Sequence, residues 1–209
     1  MTNEISFKQN IKFVDYYTIQ KLIQNRAKEI DFMPGSPLYV QGKRFYTWGV
    51  KTCAAGGFSN SQKQAVGFHL LDCYENYEQI DNHCKKIYSA IKNPTSGILI
   101  GSKTHLLAKY SLPIFSKMED FFSEKIAHFS VFREHSHRSG RSCFMYDSET
   151  DTWNILAQWC DLLCNVSSIE DLKNFYKEII IAEGDKVFIE DTEIDPKDII
   201  QSYPDLKNQ

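Results

Sequence analysis

No stretch of this 209-residue sequence approaches the ~18–20 consecutive apolar residues of a membrane helix. The first ten residues, MTNEISFKQN, hold no apolar run, so no Sec-type signal peptide is expected. Charge of one sign is also lacking: 24 Lys and Arg stand against 27 Asp and Glu, a net charge of −3. With no basic excess to neutralise phosphates, the balance argues against a dedicated nucleic-acid binder. The six cysteines include no CxxC pair, and without a secretory signal a disulfide framework is not expected. Most of them are expected as small buried hydrophobes. GxxxxGK[ST], GxGxxG and HExxH are all absent, which leaves nucleotide hydrolysis and zinc proteolysis without sequence support. No internal repeat or low-complexity tract occurs.

What is present is ordinary globular composition, 42% hydrophobic and 24% charged, with 11 Tyr and 14 Phe to fill a core and favour sheet. The length fits one domain with decorations. Helical period predicts a helix from Tyr16 to Ile30, ended by Met33-Pro34-Gly35-Ser36-Pro37. Strand-like runs follow at Leu38–Val40 and Arg44–Val50, read as a hairpin around residues 41–43. Residues 58–64 read as a loop and Ala65–Leu71 as a strand. A helix is expected over Glu75–Asn93, with Ile80, Cys84 and Ile87 inward and His83 exposed. A strand at Ile98–Ile100, a helix at Pro113–Glu124 and a strand at Ile126–Phe132 come next. Cys143–Tyr146 and Trp153–Ala157 read as two further strands. Ser168 is placed as N-cap of a helix running to Ala182, and a short helix near Pro196 closes the chain. Trp159, Leu162 and Leu163, with Cys160 and Cys164 one helical turn apart, read as packing. The fold class is α+β.

The local pattern richest in chemistry runs from Thr47 through Cys53 and the small residues Ala54–Gly57 to His69. If Cys53 opens one strand and His69 lies on the next, thiol and imidazole share a neighbourhood. A Cys–His pair is the minimal activated thiol nucleophile. The plain alternative is a packed core thiol and an unrelated histidine.

The same residues resemble the CheD family of chemotaxis-receptor glutamine deamidases. That family shows Thr, a Gly-bearing turn, a nucleophilic Cys, and His about sixteen positions later. Thr47, Cys53 and His69 fall at matching positions. The core is shared with cytotoxic necrotizing factor and related toxins. Gly97–Ser102, and Arg138–Ser142 running into Cys143–Thr150, are similar to later elements, so the likeness covers about Leu38 to Ala157. The family's Gly-Ser before the Cys is here Lys51-Thr52. The resemblance implies a CheD-like sheet-and-helix core at 37–157, an N-terminal helical appendage at 1–36 and a C-terminal helical extension at 158–209. It implies a protein-glutamine deamidase with Cys53 as nucleophile, His69 as base and acid, and Thr47 orienting the imidazole, without metal or organic cofactor. The partner is the target protein carrying the glutamine.

Three further readings stand beside this one. A transglutaminase or a cysteine protease would use the same Cys–His pair, and a non-enzymatic interaction domain would use the scaffold alone. His135-Ser136-His137, with Cys143 and Asp147, could chelate a metal. The basic residues Arg133, Arg138 and Arg141 could instead grip an acidic patch on a partner. The added segments at both ends suggest a bacterial effector or toxin. It would be made in the cytoplasm and delivered into a host cell by a route independent of signal peptides. The C-terminal extension would then help choose the target.

Overall fold

The computed structural model describes residues 9–24, 27–31, 33, 35–71, 77–101, 111–134, 140–159 and 164–202. Its strands and helices alternate irregularly along the chain. The first half holds β1 (Asn10–Phe13), α1 (Tyr16–Ile23), β2 (Lys28–Glu29), β3 (Val40–Gln41), β4 (Arg44–Val50), β5 (Ala54–Ser59) and β6 (Ala65–Leu70). The middle holds α2 (Ile80–Tyr88), β7 (Ser96–Gly101), α3 (Ser111–Lys125), β8 (His128–Glu134), β9 (Gly140–Asp147) and β10 (Thr152–Trp159). The last part holds β11 (Cys164–Asn165), α4 (Ile169–Phe175), β12 (Tyr176–Ile180), β13 (Lys186–Ile189) and β14 (Thr192–Ile194). This is a mixed α+β architecture.

The strands form two mixed sheets. The first runs β14-β13-β1-β10-β9-β4-β2, with β11 beside β10; the second runs β12-β8-β7-β5-β6-β3. They pack face to face over an aromatic core that includes Phe13, Phe45, Phe132, Phe144, Tyr146, Trp153 and Tyr176. Burying each such ring stabilises the fold by about 1.5–3 kcal/mol. The outer face of the second sheet is covered by α2 and α3, through Phe58, Phe68, Cys84, Ile87, Phe115 and Phe122 among others. On the far side of the first sheet, α1 sits over Cys143, Met145 and Leu156. Strand alternation explains the uninterrupted apolar run in β9. Cys143 and Met145 face α1, while Phe144 and Tyr146 face the other sheet.

Several helices are shorter than their sequence period suggests. Helix α1, capped by the Asp15 carboxylate on the Thr18 amide at 2.7 Å, ends at Ile23, not Ile30. Chain beyond it pairs as β2 with β4. Helix α4 is capped by Ser168 as expected but gives way at Tyr176 to strand β12. The segments read as a helical appendage and a helical extension thus contribute strands to both sheets. Strand β1 lies between β10 and β13, parallel to both. The expected hairpin around residues 41–43 is also corrected. Strand β3 pairs with β6 in one sheet while β4 pairs with β9 in the other, so the turn crosses between layers. The true hairpin is β5–β6, whose turn is held by Asn60. Cys164, expected to pack, is instead exposed in a strand, and Cys160, Leu162 and Leu163 lie outside the described residues.

Arg133 belongs to the core and not to a basic surface. It is 2% exposed, with Nε on Glu178 at 2.8 Å and Nη2 on Glu119 at 2.5 Å. Its guanidinium also lies over the Phe115 ring. Arg141 donates to the Gln158 side chain. The rest of the anticipated basic and histidine loop, His135, His137 and Arg138, lies outside the described residues. Among the described residues no cluster of three or more His, Cys, Asp or Glu could hold a metal.

Candidate active site

Thr47, Cys53 and His69 are brought to one end of the space between the sheets. Thr47 comes from the first sheet. In β4 it faces inward with Phe45, and both are fully buried. Beyond Thr47 the β4–β9 register shifts: Thr47 opposes Phe144, and Val50 opposes Ser142. The extra residue makes a bulge at Trp48-Gly49, and Gly49 takes a φ of +69°, where a side chain would be strained. The bulge turns Val50 inward and sends the chain over to the second sheet, where Cys53 immediately precedes β5.

Cys53 and His69 share a face. Ala55 pairs directly with His69. Cys53 is two residues before Ala55 and packs with it in the core between the sheets, whereas Ala54 packs on the helix side. Cys53, one residue before β5, therefore faces the same side of the sheet as His69, a diagonal step away at about 7 Å between backbones in such a pair. The backbone around Cys53 is tightly enclosed. A Cβ on Gly101 of β7 would stand 2.0 Å from the Cys53 carbonyl oxygen, so only glycine fits there.

His69 is fixed by Thr47. Thr47 Oγ1 lies 2.7 Å from His69 Nδ1 and 3.2 Å from the carbonyl oxygen of Ile30. A hydroxyl has one proton, and a carbonyl can only accept. Thr47 therefore donates to Ile30 and accepts from Nδ1–H, which leaves the lone pair on Nε2. Ile30 is itself anchored, its amide donating to the Tyr46 carbonyl at 2.8 Å. Burial lowers the His69 pKa from 6.5 to about 4, so the ring is neutral at physiological pH. A neutral ring of this tautomer accepts a proton at Nε2 and returns it later. It does not act as a standing cation that pre-ionises a thiol.

A cleft of about 610 Å³ opens along the edge of the second sheet. It is lined by His69, Leu70 and Leu71, by residues 35–39 and by His83, Lys86 and Ser89 of the α2 region. His83, expected to be exposed, is half-buried in this wall. Cys53 is 4% exposed and is not among the lining residues. Sequence spacing brings Thr47, Cys53 and His69 together. It gives no hint of the Ile30 carbonyl, because that contact depends on two-residue β2 pairing with β4 across residues 30–43, which include β3 of the other sheet.

The fold and site define a two-sheet α+β protein with a buried Thr–His pair beside a thiol. A scan against protein-family models and a search of curated proteins each find no match to the chain. No helix among the described residues is long and apolar enough to cross a membrane.

Proposed function

We propose that this protein is a protein-glutamine deamidase in which Cys53 attacks and His69 carries the proton, the target being a protein of a host cell. The observation that supports this most is the Thr47–His69 bond at 2.7 Å, with the Thr47 proton committed to Ile30. That arrangement presents an unprotonated Nε2 on the face that Cys53 shares.

The chemistry balances with these residues and one water. The Cys53 thiol passes its proton to His69 Nε2 as sulfur bonds to the carboxamide carbon of glutamine. The resulting tetrahedral intermediate collapses, its C–N bond breaks, and the imidazolium protonates the departing nitrogen, which leaves as ammonia. A thioester remains. Water then adds to it, giving up a proton to the same imidazole. The C–S bond breaks, the thiol recovers its proton, and the product is glutamate. A lysine amine in place of water would give the transglutaminase outcome.

The burial of Cys53 favours one rival, an interaction domain in which the thiol is only packing. Two measurements separate the readings. In the first, mass spectrometry of host-cell extract treated with wild type shows a shift of about +1 Da at a specific glutamine, as amide hydrolysis requires. The shift is absent with Cys53→Ser. In the second, iodoacetamide alkylates the Cys53 thiol of the folded protein faster than that of folded His69→Ala, because the neutral imidazole takes the thiol proton as sulfur reacts. A thiol inert until unfolding, with no modified glutamine, sinks the enzymatic reading.

A further inference from the structure

A second cleft, of about 740 Å³, lies against the opposite end of β6 from His69. It is lined by Lys43, Lys63 and Lys92 together with Gln41, Gln64 and Ser89, and no carboxylate is among its described lining residues. The three lysines come from separate places in the chain: the crossing after β3, the β5–β6 turn, and the segment after α2. Each is exposed. Their positions are set by the fold. Lys63 adopts a φ of +59° in its turn and donates from Nζ to the Glu149 carbonyl at 3.1 Å. The Lys92 carbonyl is tied to the Asn60 side-chain amide at 2.7 Å, and the Gln41 side chain donates to the Ala90 carbonyl.

The acidic groups of the adjacent β9–β10 turn offset this charge only in part, Asp151 interacting electrostatically with Lys63. Asp147 and Glu149 both pair with Arg44, each at 3.0 Å. With three lysines and no carboxylate on its described walls, the cleft itself keeps a positive excess. It meets the cleft beside His69 at Ser89, which lines both.

We propose that the lysine cleft holds a carboxylate-rich stretch of an extended polypeptide. Resting on the deamidase reading, that polypeptide is the target whose glutamine enters beside His69. The spacing follows from β6. Ala65 lines the lysine cleft and His69 the other, and four residues of strand span about 13 Å at ~3.3 Å each. Acidic residues thus sit about four positions from the glutamine in the target sequence. A glutamine alone offers too little to select one protein, and a charge pattern at a fixed offset supplies the missing discrimination.

The test uses the full chain with Cys53→Ser and a fluorescein-labelled peptide carrying one glutamine and a run of glutamates four positions away. Fluorescence anisotropy is expected to show binding that weakens by about tenfold or more in Lys43→Glu/Lys63→Glu/Lys92→Glu, and less in the three Lys→Gln changes. Raised salt is expected to weaken it as well, since screening acts at the ~10 Å scale of these charges. A peptide with glutamates replaced by serine should bind poorly. Equal binding of the two peptides, or no effect of charge reversal in protein with native circular dichroism, overturns the assignment. Ammonia release by the Cys53 protein is read separately. Binding without release would keep the cleft and sink the deamidase reading. Release at the same KM from both peptides would keep the chemistry and sink the cleft.

Discussion

Thr47 and His69, twenty-two residues apart, meet at 2.7 Å across the gap between two sheets, each buried. Removing the Thr47 hydroxyl leaves the Nδ1–H and the Ile30 carbonyl without their shared partner. Thr47→Val is expected to cost about 1–3 kcal/mol of stability. It should also slow ammonia release by more than tenfold, because the ring can then adopt the other tautomer. Thr47→Ser should recover most of both losses. Urea titration and an ammonia assay on the three proteins check this, and a Val variant as fast as wild type would remove the orienting role.

Cys53→Ser and His69→Ala should each abolish turnover. The two act as one unit, so the double variant should be no slower than either single. Losses that add in the double variant would show that the residues act separately.

Stability should depend on pH through His69 with a definite sign. Its pKa is lowered from 6.5 to about 4 in the folded protein, so between these values the unfolded chain binds more protons. The contribution is fully present above about 6.5 and is lost as pH falls toward 4, by up to about 3 kcal/mol. His69→Gln should flatten this part of the stability curve, measured as the urea midpoint at several pH values. An unchanged slope would show that His69 titrates alike in the folded and unfolded chain.

Asp185 should act in the opposite sense. Burial raises its pKa from 3.8 to about 6, although Gln9 donates to it at 2.7 Å and Ser130 at 2.8 Å. The folded state binds the extra proton in this window, so the group favours folding at low pH and loses that contribution as pH rises through 6. Asp185→Asn should therefore compare better with wild type at pH 8 than at pH 5. Thermal melts at the two pH values decide the sign.

Arg133 is flanked by Glu119 and Glu178 in the interior, joining α3, β8 and β12. Arg133→Met should cost about 3–5 kcal/mol by removing the guanidinium that pairs with two buried carboxylates. The triple change with Glu119→Leu and Glu178→Leu should recover much of that loss. A mild single variant would mean that water reaches the carboxylates.

The strands from Ala65 to Ala157 are legible because each is a dense apolar run bounded by turn residues. The Thr47–Cys53–His69 spacing is legible for a related reason: the three lie within a short reach of chain whose strands are sequence neighbours. Strand β1 is not. Asn10-Ile11-Lys12-Phe13 is four residues with two polar side chains, and only its partners at 152–155 and 186–189 make it a strand. The helices from Tyr16 and from Ile169 are over-extended for a similar reason. Apolar residues at Ile30 and Ile179 continue the helical period, but both serve the core between the sheets from other elements. Arg133 reads as part of a basic loop because its acidic partners sit far away in sequence.

The place of β1 has a consequence for synthesis. Its two parallel partners lie far later in the chain, so the sheet closes on both sides of β1 only once residues 152–155 and 186–189 have left the ribosome. Such long-range closure is slow and leaves apolar edges open to misassociation in the interval.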